Sequence, residues 1–426
     1  MSDAIHRRDL MKMAGMGSLI FVSGLGRVSA AEAPKTPDEG FTFLQLTDTH
    51  IGFNDPKINP DFAGTLSKAI ASINKMDPKP DFVIFTGDLS HNTDDDKERR
   101  SRLADFREIV KPLSIKDVHY MPGEHDAGLD NGEAWHEAFG KSIYTFEYKG
   151  VHFIALDNVS DPRVQLGDDQ LQWLSADLAK QGKDAPIVVF THRPLFDLYP
   201  VWDWYTRDGA KAIDILMPYS NVTVFYGHIH QVNYHMEGHI PLHAGNSLMF
   251  PLPAKGSQPQ RAPVPWDAAH PYEHLSYRRA EARGKTTMGY ALVEYPMAAI
   301  AAGKLAPEPE PAMESTAAEA APKAGAAPQA ASGPKEQVIE VTAKRFEFNP
   351  KEITVKQGTP VLLKLTSLDR LHGFNCPDLG IRSDIEPGKV NELRFTPTKA
   401  GTFTFFCDVY CGSGHGGMNG KIIVTP

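Results

Sequence analysis

The stretch Phe41-Thr42-Phe43-Leu44-Gln45-Leu46-Thr47-Asp48-Thr49-His50 decides how most of the chain is read. Its apolar run reads as a buried strand, and the strand delivers a carboxylate and an imidazole at its carboxyl end. Four later stretches repeat the design. Asp81–Thr86 runs into Gly87-Asp88, and Val118–Pro122 into Gly123-Glu124-His125-Asp126. Ile187–Thr191 ends at His192, and Val222–Tyr226 at Gly227-His228-Ile229-His230. Open α/β sheets carry their sites at the carboxyl ends of strands. Carboxylates and imidazoles gathered there are the donors that two closely spaced metal ions require. A turn or cap at each Asp would explain one such ending, not five in succession.

These motifs resemble the signature of the calcineurin-like metallophosphoesterases: D-x-H, G-D, G-N-H-D/E, H and G-H-x-H. The resemblance runs from about residue 41 to 295 and includes the two-strand passage Tyr144–Asp157. It implies an α/β two-sheet sandwich flanked by helices. It also implies one metal held by Asp48, His50, Asp88 and His230. A second would take the bridging Asp88, the Asn position of G-N-H, His192 and His228. A hydroxide shared by the two would attack a phosphate ester in line. His125 would protonate the leaving oxygen, with Asp126 holding its other nitrogen. The departure is Glu124, where the family has Asn. A coordinating Glu124 should change the preferred second metal, among Fe, Mn and Zn types, or weaken the hold on an anionic substrate. A Glu124 turned aside should weaken the second site. His91, His119, His136, His152, His235, His239 and His243 fall outside the motifs and read as surface or packing residues.

Around this core the bulk properties are ordinary. The chain has 426 residues, 41% hydrophobic and 23% charged, with a formal net charge of −9. It is long enough for two or three domains, and no dense basic run suggests a nucleic-acid partner. Residues 1–30 read as a targeting segment. Arg7-Arg8-Asp9-Leu10-Met11-Lys12 resembles the twin-arginine export motif, and Val28-Ser29-Ala30 offers a cleavage site. The alternative is an uncleaved anchor, but the Gly- and Ser-containing apolar stretch is below the ~20 residues of a spanning helix. The expected location is the periplasm, with no membrane span after cleavage.

Residues 38–296 form the first expected domain, with helices over Phe62–Met76, Arg99–Val110 and Leu171–Lys180, the last stopped by Gly182. Phe196–Tyr205, rich in Trp and Tyr, reads either as a pocket-lining loop or as ordinary loop packing. Residues from about 251 to 285 read as a Pro-rich insertion. Residues 297–336, nearly all Ala, Pro, Glu, Gly, Lys and Ser, read as a semi-extended linker that keeps the last domain nearby without fixing it.

Residues 337–426 change to alternating strands with no helix, the pattern of an all-β Greek-key sandwich. The cysteines, Cys376, Cys407 and Cys411, all lie here. Cys407-x3-Cys411-x3-His415-x2-Met418, with His372 from an earlier loop, is a soft donor set suited to copper. A disulfide or zinc site leaves Met418 unexplained. Together with Leu371-His372-Gly373-Phe374 and Asp384-Ile385-Glu386-Pro387-Gly388, the motif resembles the binuclear copper-A cupredoxin domain of cytochrome c oxidase subunit II. That resemblance implies two coppers and adds the backbone carbonyl of Val409 as a ligand. Cys376 reads as a buried thiol.

The sequence therefore points to an exported metal-dependent phosphoesterase with an appended copper electron-transfer domain. Its partners would be a phosphate-ester substrate and a periplasmic electron-transfer protein. The alternative is a copper electron-transfer or copper-handling protein whose phosphoesterase domain only binds.

Overall fold

The computed structural model describes residues 40–258, 261–282, 290–309, 336–412 and 414–426. The targeting segment and most of the expected linker lie outside them. The described residues belong to one compact unit.

The strand that opens the reading, β1 (Phe41–Leu46), is buried on both faces, because two layers cover it. Phe41 and Phe43 turn to a second sheet, where the Phe43 ring meets that of Phe225 edge-on at 5.4 Å. Leu44 and Leu46 turn the other way, into a cluster with Leu66, Ile70 and Phe106 from the covering helices. Full burial of each such side chain is worth about 1.5–3 kcal/mol. Gln45 lies between the sheets and donates to Thr86 Oγ1 (3.1 Å) and to the Tyr226 carbonyl (3.0 Å), stitching one sheet to the other.

Helix α1 (Thr65–Ile73) follows β1, then β2 (Phe82–Thr86), α2 (Asp96–Val110) and β3 (Val118–Met121). Strands β1, β2 and β3 pair in parallel. After the short helices α3 (Glu124–Ala127) and α4 (Glu133–Phe139) come β4 (Tyr144–Tyr148), β5 (Val151–Ala155), α5 (Asp168–Leu178) and β6 (Ile187–Phe190). The domain continues with α6 (Gly209–Leu216), β7 (Val222–Tyr226), β8 (Asn233–Glu237) and β9 (Ile240–Ala244), and closes with β10 (Ser276–Ala282) and β11 (Tyr290–Pro296). The two six-stranded sheets have the orders β12-β11-β10-β1-β2-β3, with β12 at Glu308–Pro309, and β4-β5-β6-β7-β9-β8. Helices flank both, so the expected two-sheet α/β sandwich is the observed one.

Several boundaries differ from the sequence reading, among them the first two helices, observed over Thr65–Ile73 and Asp96–Val110. Strand β10 lies inside the stretch read as an insertion and pairs antiparallel with β1. Its charged residues hid it: Arg278 is buried against Glu294 of β11 rather than exposed. The first residues of the expected linker form a helix, Met297–Ala301, with Met297 fully buried. Helix α5 ends at Leu178 with Ala179 as its cap, short of Gly182.

The last domain is a sandwich of a four-stranded and a five-stranded sheet, closed over Phe374 and Phe405, whose rings stack at 4.5 Å. His372 does not sit in a loop. It opens the strand His372–Cys376, which pairs with Ile381–Ile385. Cys376 is buried and free of disulfide. Among the described residues no helix is long and apolar enough to cross a membrane.

Candidate metal centres

Five residues at the strand ends adopt left-handed backbone conformations: Asp48 (φ 54°), His50 (φ 42°), Asp88 (φ 51°), His228 (φ 66°) and His230 (φ 54°). Non-glycine residues pay for such geometry, and it clusters where a site demands it. Here it turns each side chain back over the sheet edge.

The imidazoles are oriented through their outer nitrogens. His192 Nδ1 donates to the Thr86 carbonyl (2.7 Å), His230 Nδ1 to the Phe250 carbonyl (2.6 Å), and His228 Nε2 to the Asp203 carbonyl (2.9 Å). These bonds leave His192 Nε2, His230 Nε2 and His228 Nδ1 with inward lone pairs, as metal ligation requires. His50 Nε2 and His230 Nε2 face one another at 3.1 Å. His192 Nε2 lies 3.0 Å from Glu124 Oε2 and 3.4 Å from Asp88 Oδ2. Asp48 Oδ1, Glu124 Oε2 and His192 Nε2 are buried without hydrogen-bond partners among the described residues. Burial, and then the charge of Glu124, push the Asp88 carboxyl well above the usual range. Three buried carboxylates, two of them with an orphaned oxygen, interleaved with imidazole lone pairs, fit cations. The donors fall into two groups, Asp48, His50, Asp88 and His230, and Glu124, His192 and His228.

Glu124 turns inward. Its Oε1 lies 2.9 Å from His228 Nδ1 and 3.4 Å from Nη2 of Arg193, the fully buried residue after His192. Arg193 supplies the charge that the substitution of Glu for Asn demands. No sequence motif pointed to it, since a cation beside a metal ligand is not part of the signature.

The expected pairing of Asp126 with His125 is corrected. Asp126 accepts from the backbone N–H of Leu89 (3.0 Å), Ser90 (2.7 Å) and Gly123 (2.9 Å) and from Ser90 Oγ (2.8 Å). Its four acceptor sites are spent on tying the Asp88 loop to the start of α3. His125 Nδ1 instead accepts from the Asn92 N–H at 3.3 Å. A neutral His125 therefore presents Nε2–H, 3.9 Å from Asp88 Oδ2. Burial and then His91 hold its pKa well below the ordinary value, so it is a neutral donor rather than a stored acid. His91, read as a surface or packing residue, belongs to the site. Its Nδ1 is 3.3 Å from His50 Nδ1, and its ring centroid is 4.9 Å from that of His125.

The second centre gathers as its motif implied. Cys407 Sγ lies 3.7 Å from His372 Nδ1 and 3.2 Å from the Val409 carbonyl oxygen. Cys411 Sγ lies 3.5 Å from His415 Nδ1 and 4.0 Å from Met418 Sδ. Burial opposes ionisation of Cys407, but hydrogen bonds from Cys411, His372 and His415 hold its thiol well below the usual value. Hydrogen bonding to Cys407, then burial, push Cys411 well above it. The two sulfurs thus share one proton, and soft cations displace it readily. Both imidazoles are oriented from outside: His372 Nε2 by Asp369 Oδ1 (2.7 Å), His415 Nε2 by Asp203 Oδ2 (3.4 Å).

Asp203 comes from the phosphoesterase domain, in the loop read as pocket-lining. That loop packs instead: Trp202 and Trp204 are in the core, and Tyr205 Oη donates to Asp408 Oδ2 (3.3 Å) of the last domain. Arg163 to Asp384 (3.2 Å) and Arg345 to Asp94 (2.7 Å) also cross between the domains. The last domain is therefore docked, not loosely tethered. Its loop walls a cavity of 380 Å³ shared by Asp88, Glu124 and His125 on one side and Tyr410, Gly414 and His415 on the other.

The family model of the calcineurin-like phosphoesterases matches residues 41–232, and that of the cupredoxin-like domain matches residues 318–424. Cytochrome c oxidase subunit 2 of Thermus thermophilus is 37% identical over 93 residues, 22% of this chain and 69% of that protein. A protein of Arcobacter nitrofigilis described as "Probable glycerophosphodiester phosphodiesterase" is 29% identical over 203 residues, 45% of this chain and 72% of the relative. A "Probable cyclic nucleotide phosphodiesterase" of Rhodococcus erythropolis is 26% identical over 238 residues, 52% and 75% of the two chains. The family supports a metal-dependent phosphoric ester hydrolase. The chain joins a calcineurin-like phosphoesterase domain to a cupredoxin-like domain that resembles cytochrome c oxidase subunit II.

Proposed function

We propose that the chain is an exported, binuclear-metal phosphoesterase acting on a small phosphate ester, with a copper electron-transfer domain built onto its active site. The carrying observation is the convergence of His50 Nε2, His192 Nε2, His228 Nδ1 and His230 Nε2 on Asp48, Asp88 and Glu124, with His50, Asp88, Glu124, His228 and His230 lining one cavity. A volume of 380 Å³ suits a small ester rather than a folded phosphoprotein. The first cation would be held by Asp48, His50, Asp88 and His230, the second by Asp88, Glu124, His192 and His228. Bound there, the pair supplies nucleophile activation and charge neutralisation at phosphorus. The protein's part is to orient the ester: His125 offers Nε2–H to a phosphoryl or leaving oxygen, and Phe53 and Phe250 line the cavity with apolar surface. In the cupredoxin domain His372, Cys407, Val409, Cys411, His415 and Met418 would hold two coppers for electron exchange with a periplasmic redox protein. Export through the twin-arginine route rests on Arg7-Arg8 and the apolar stretch after them.

One observation favours the second reading, a copper protein whose other site only binds: Glu124, paired with Arg193, stands where the family has Asn. Hydrolysis of an aryl phosphate monoester and diester, with Fe, Mn and Zn added singly, separates the two. Turnover that Asp88→Ala abolishes is expected. Absence of turnover with every metal would leave the binding reading.

A further inference from the structure

The Tyr410 hydroxyl lies in an unusual place. Tyr410 sits on the copper-ligand loop, between Val409 and Cys411, yet its ring belongs to the phosphoesterase cavity. Its backbone N–H donates to the Pro162 carbonyl of the other domain (2.8 Å), which pins the loop across the boundary. The ring lies over Gly128, where an added Cβ would come 2.8 Å from Cδ1, so glycine makes room for it. It stands between the two centres, 5.9 Å from the His125 ring and 5.6 Å from the His415 ring. Tyr410 is 2% exposed, and its Oη has no hydrogen-bond partner among the described residues.

A buried hydroxyl left unsatisfied costs about 1–3 kcal/mol, a cost that a ligand oxygen would remove. Glu124 and Asp88 line the same cavity but neither accepts from the hydroxyl, which is left to donate to an oxygen that a ligand brings. A cation faces the same space. Arg261 Nη1 is 3.4 Å from His228 Nε2, whose proton is already given to Asp203, and the guanidinium packs beside Gly416 of the copper loop. No carboxylate pairs with Arg261 among the described residues. A neutral donor and an unpaired guanidinium facing a metal-ligand cluster are the complement of an anionic tetrahedral group.

We infer that Tyr410 and Arg261 together bind the phosphoryl oxygens of the substrate, so that the copper domain contributes a substrate-contacting residue to the phosphoesterase site. The inference rests on the phosphoesterase reading. It adds that the site is incomplete without the second domain, and that one loop serves two centres.

The test uses the full-length, metal-loaded protein and inorganic phosphate as the probe. Phosphate affinity is measured by calorimetry, together with KM and kcat for an aryl phosphate and the copper resonance spectrum. Tyr410→Phe keeps the ring over Gly128 and removes only the hydroxyl. It should weaken phosphate binding about three- to tenfold, as loss of a hydrogen bond of about 0.5–1.5 kcal/mol implies. KM should rise by a similar factor, and the copper spectrum should stay unchanged. Arg261→Gln should weaken phosphate at least as much. Unchanged phosphate affinity in both variants of a protein that hydrolyses the ester overturns the inference and leaves the phosphoesterase reading standing. Weakened phosphate binding in a protein that hydrolyses nothing supports the inference and overturns hydrolysis. A wild-type protein that binds no phosphate overturns the inference, and one that also turns over no ester overturns both.

Discussion

Nε2 of His415, in the copper loop, lies 3.4 Å from Oδ2 of Asp203, in the phosphoesterase domain. The same Asp203 accepts from His228 Nε2 through its backbone carbonyl at 2.9 Å and pairs with Arg193 Nη1 at 2.7 Å. One residue, itself at φ 66°, thus orients a histidine of each centre. Burial opposes its charge, but Arg193 and then His415 hold its carboxyl well below the usual range.

Asp203→Asn keeps the carbonyl and removes the charge. A unit charge in contact with a metal-ligating imidazole is worth at most about 4 kcal/mol at an effective dielectric near 20, and Arg193 offsets part of that. Losing a negative charge favours the reduced state, so the copper midpoint potential should rise by several tens of millivolts. Redox titration of the copper absorption checks this, and an unmoved potential would show that the contact carries no charge effect.

Glu124 and Arg193 should act on anions with opposite sign. Glu124→Asn leaves the guanidinium and should tighten phosphate inhibition about tenfold, while Arg193→Gln should loosen it by a comparable factor. Each single change also breaks a buried pair and should cost about 3–5 kcal/mol of stability. Inhibition constants at matched metal content decide the point; shifts of the same sign in both variants would refute the compensation.

Asp126→Ala separates the loop strut from the expected partner of His125. Removing an acceptor of four hydrogen bonds should lower stability by about 3 kcal/mol and reduce kcat through a displaced Asp88. The pH dependence of the remaining activity should not change. A shifted profile with intact stability would restore the direct link to His125.

Cys407→Ser should reduce copper from two equivalents to one and collapse a hyperfine pattern shared by both nuclei to a mononuclear one. Metal analysis and paramagnetic resonance of the full-length protein read this directly. A single copper in the unmodified protein would exclude the paired centre.

What the sequence shows plainly is what periodicity and strand ends encode. Asp48, His50, Asp88, His192, His228 and His230 are legible because each closes an apolar run, and Cys407, Cys411, His415 and Met418 because they share one short loop. Strand β10 is not legible, since the ion pair between Arg278 and Glu294 places charges where a buried strand should show apolar residues. Asp203, Arg193 and Tyr410 escape for another reason. Their roles arise from contacts between segments far apart in the chain, and no local spacing records such contacts. The Asp126 role fails for a related reason: adjacency to His125 suggests a pair, while the turn at Gly123 aims the carboxylate back at Leu89 and Ser90.

The shared cavity wall has one more consequence. A ligand that fills the cavity rests against the loop bearing Cys411 and His415. Thermodynamic reciprocity then requires that, if filling the cavity moves the copper potential, oxidising or reducing the copper moves the ligand's affinity by the same free energy. For a one-electron couple each 59 mV of displacement corresponds to a tenfold change in dissociation constant. With copper bound and that coupling present, its absorption would act as a built-in voltmeter for occupancy of the neighbouring site, readable without any turnover.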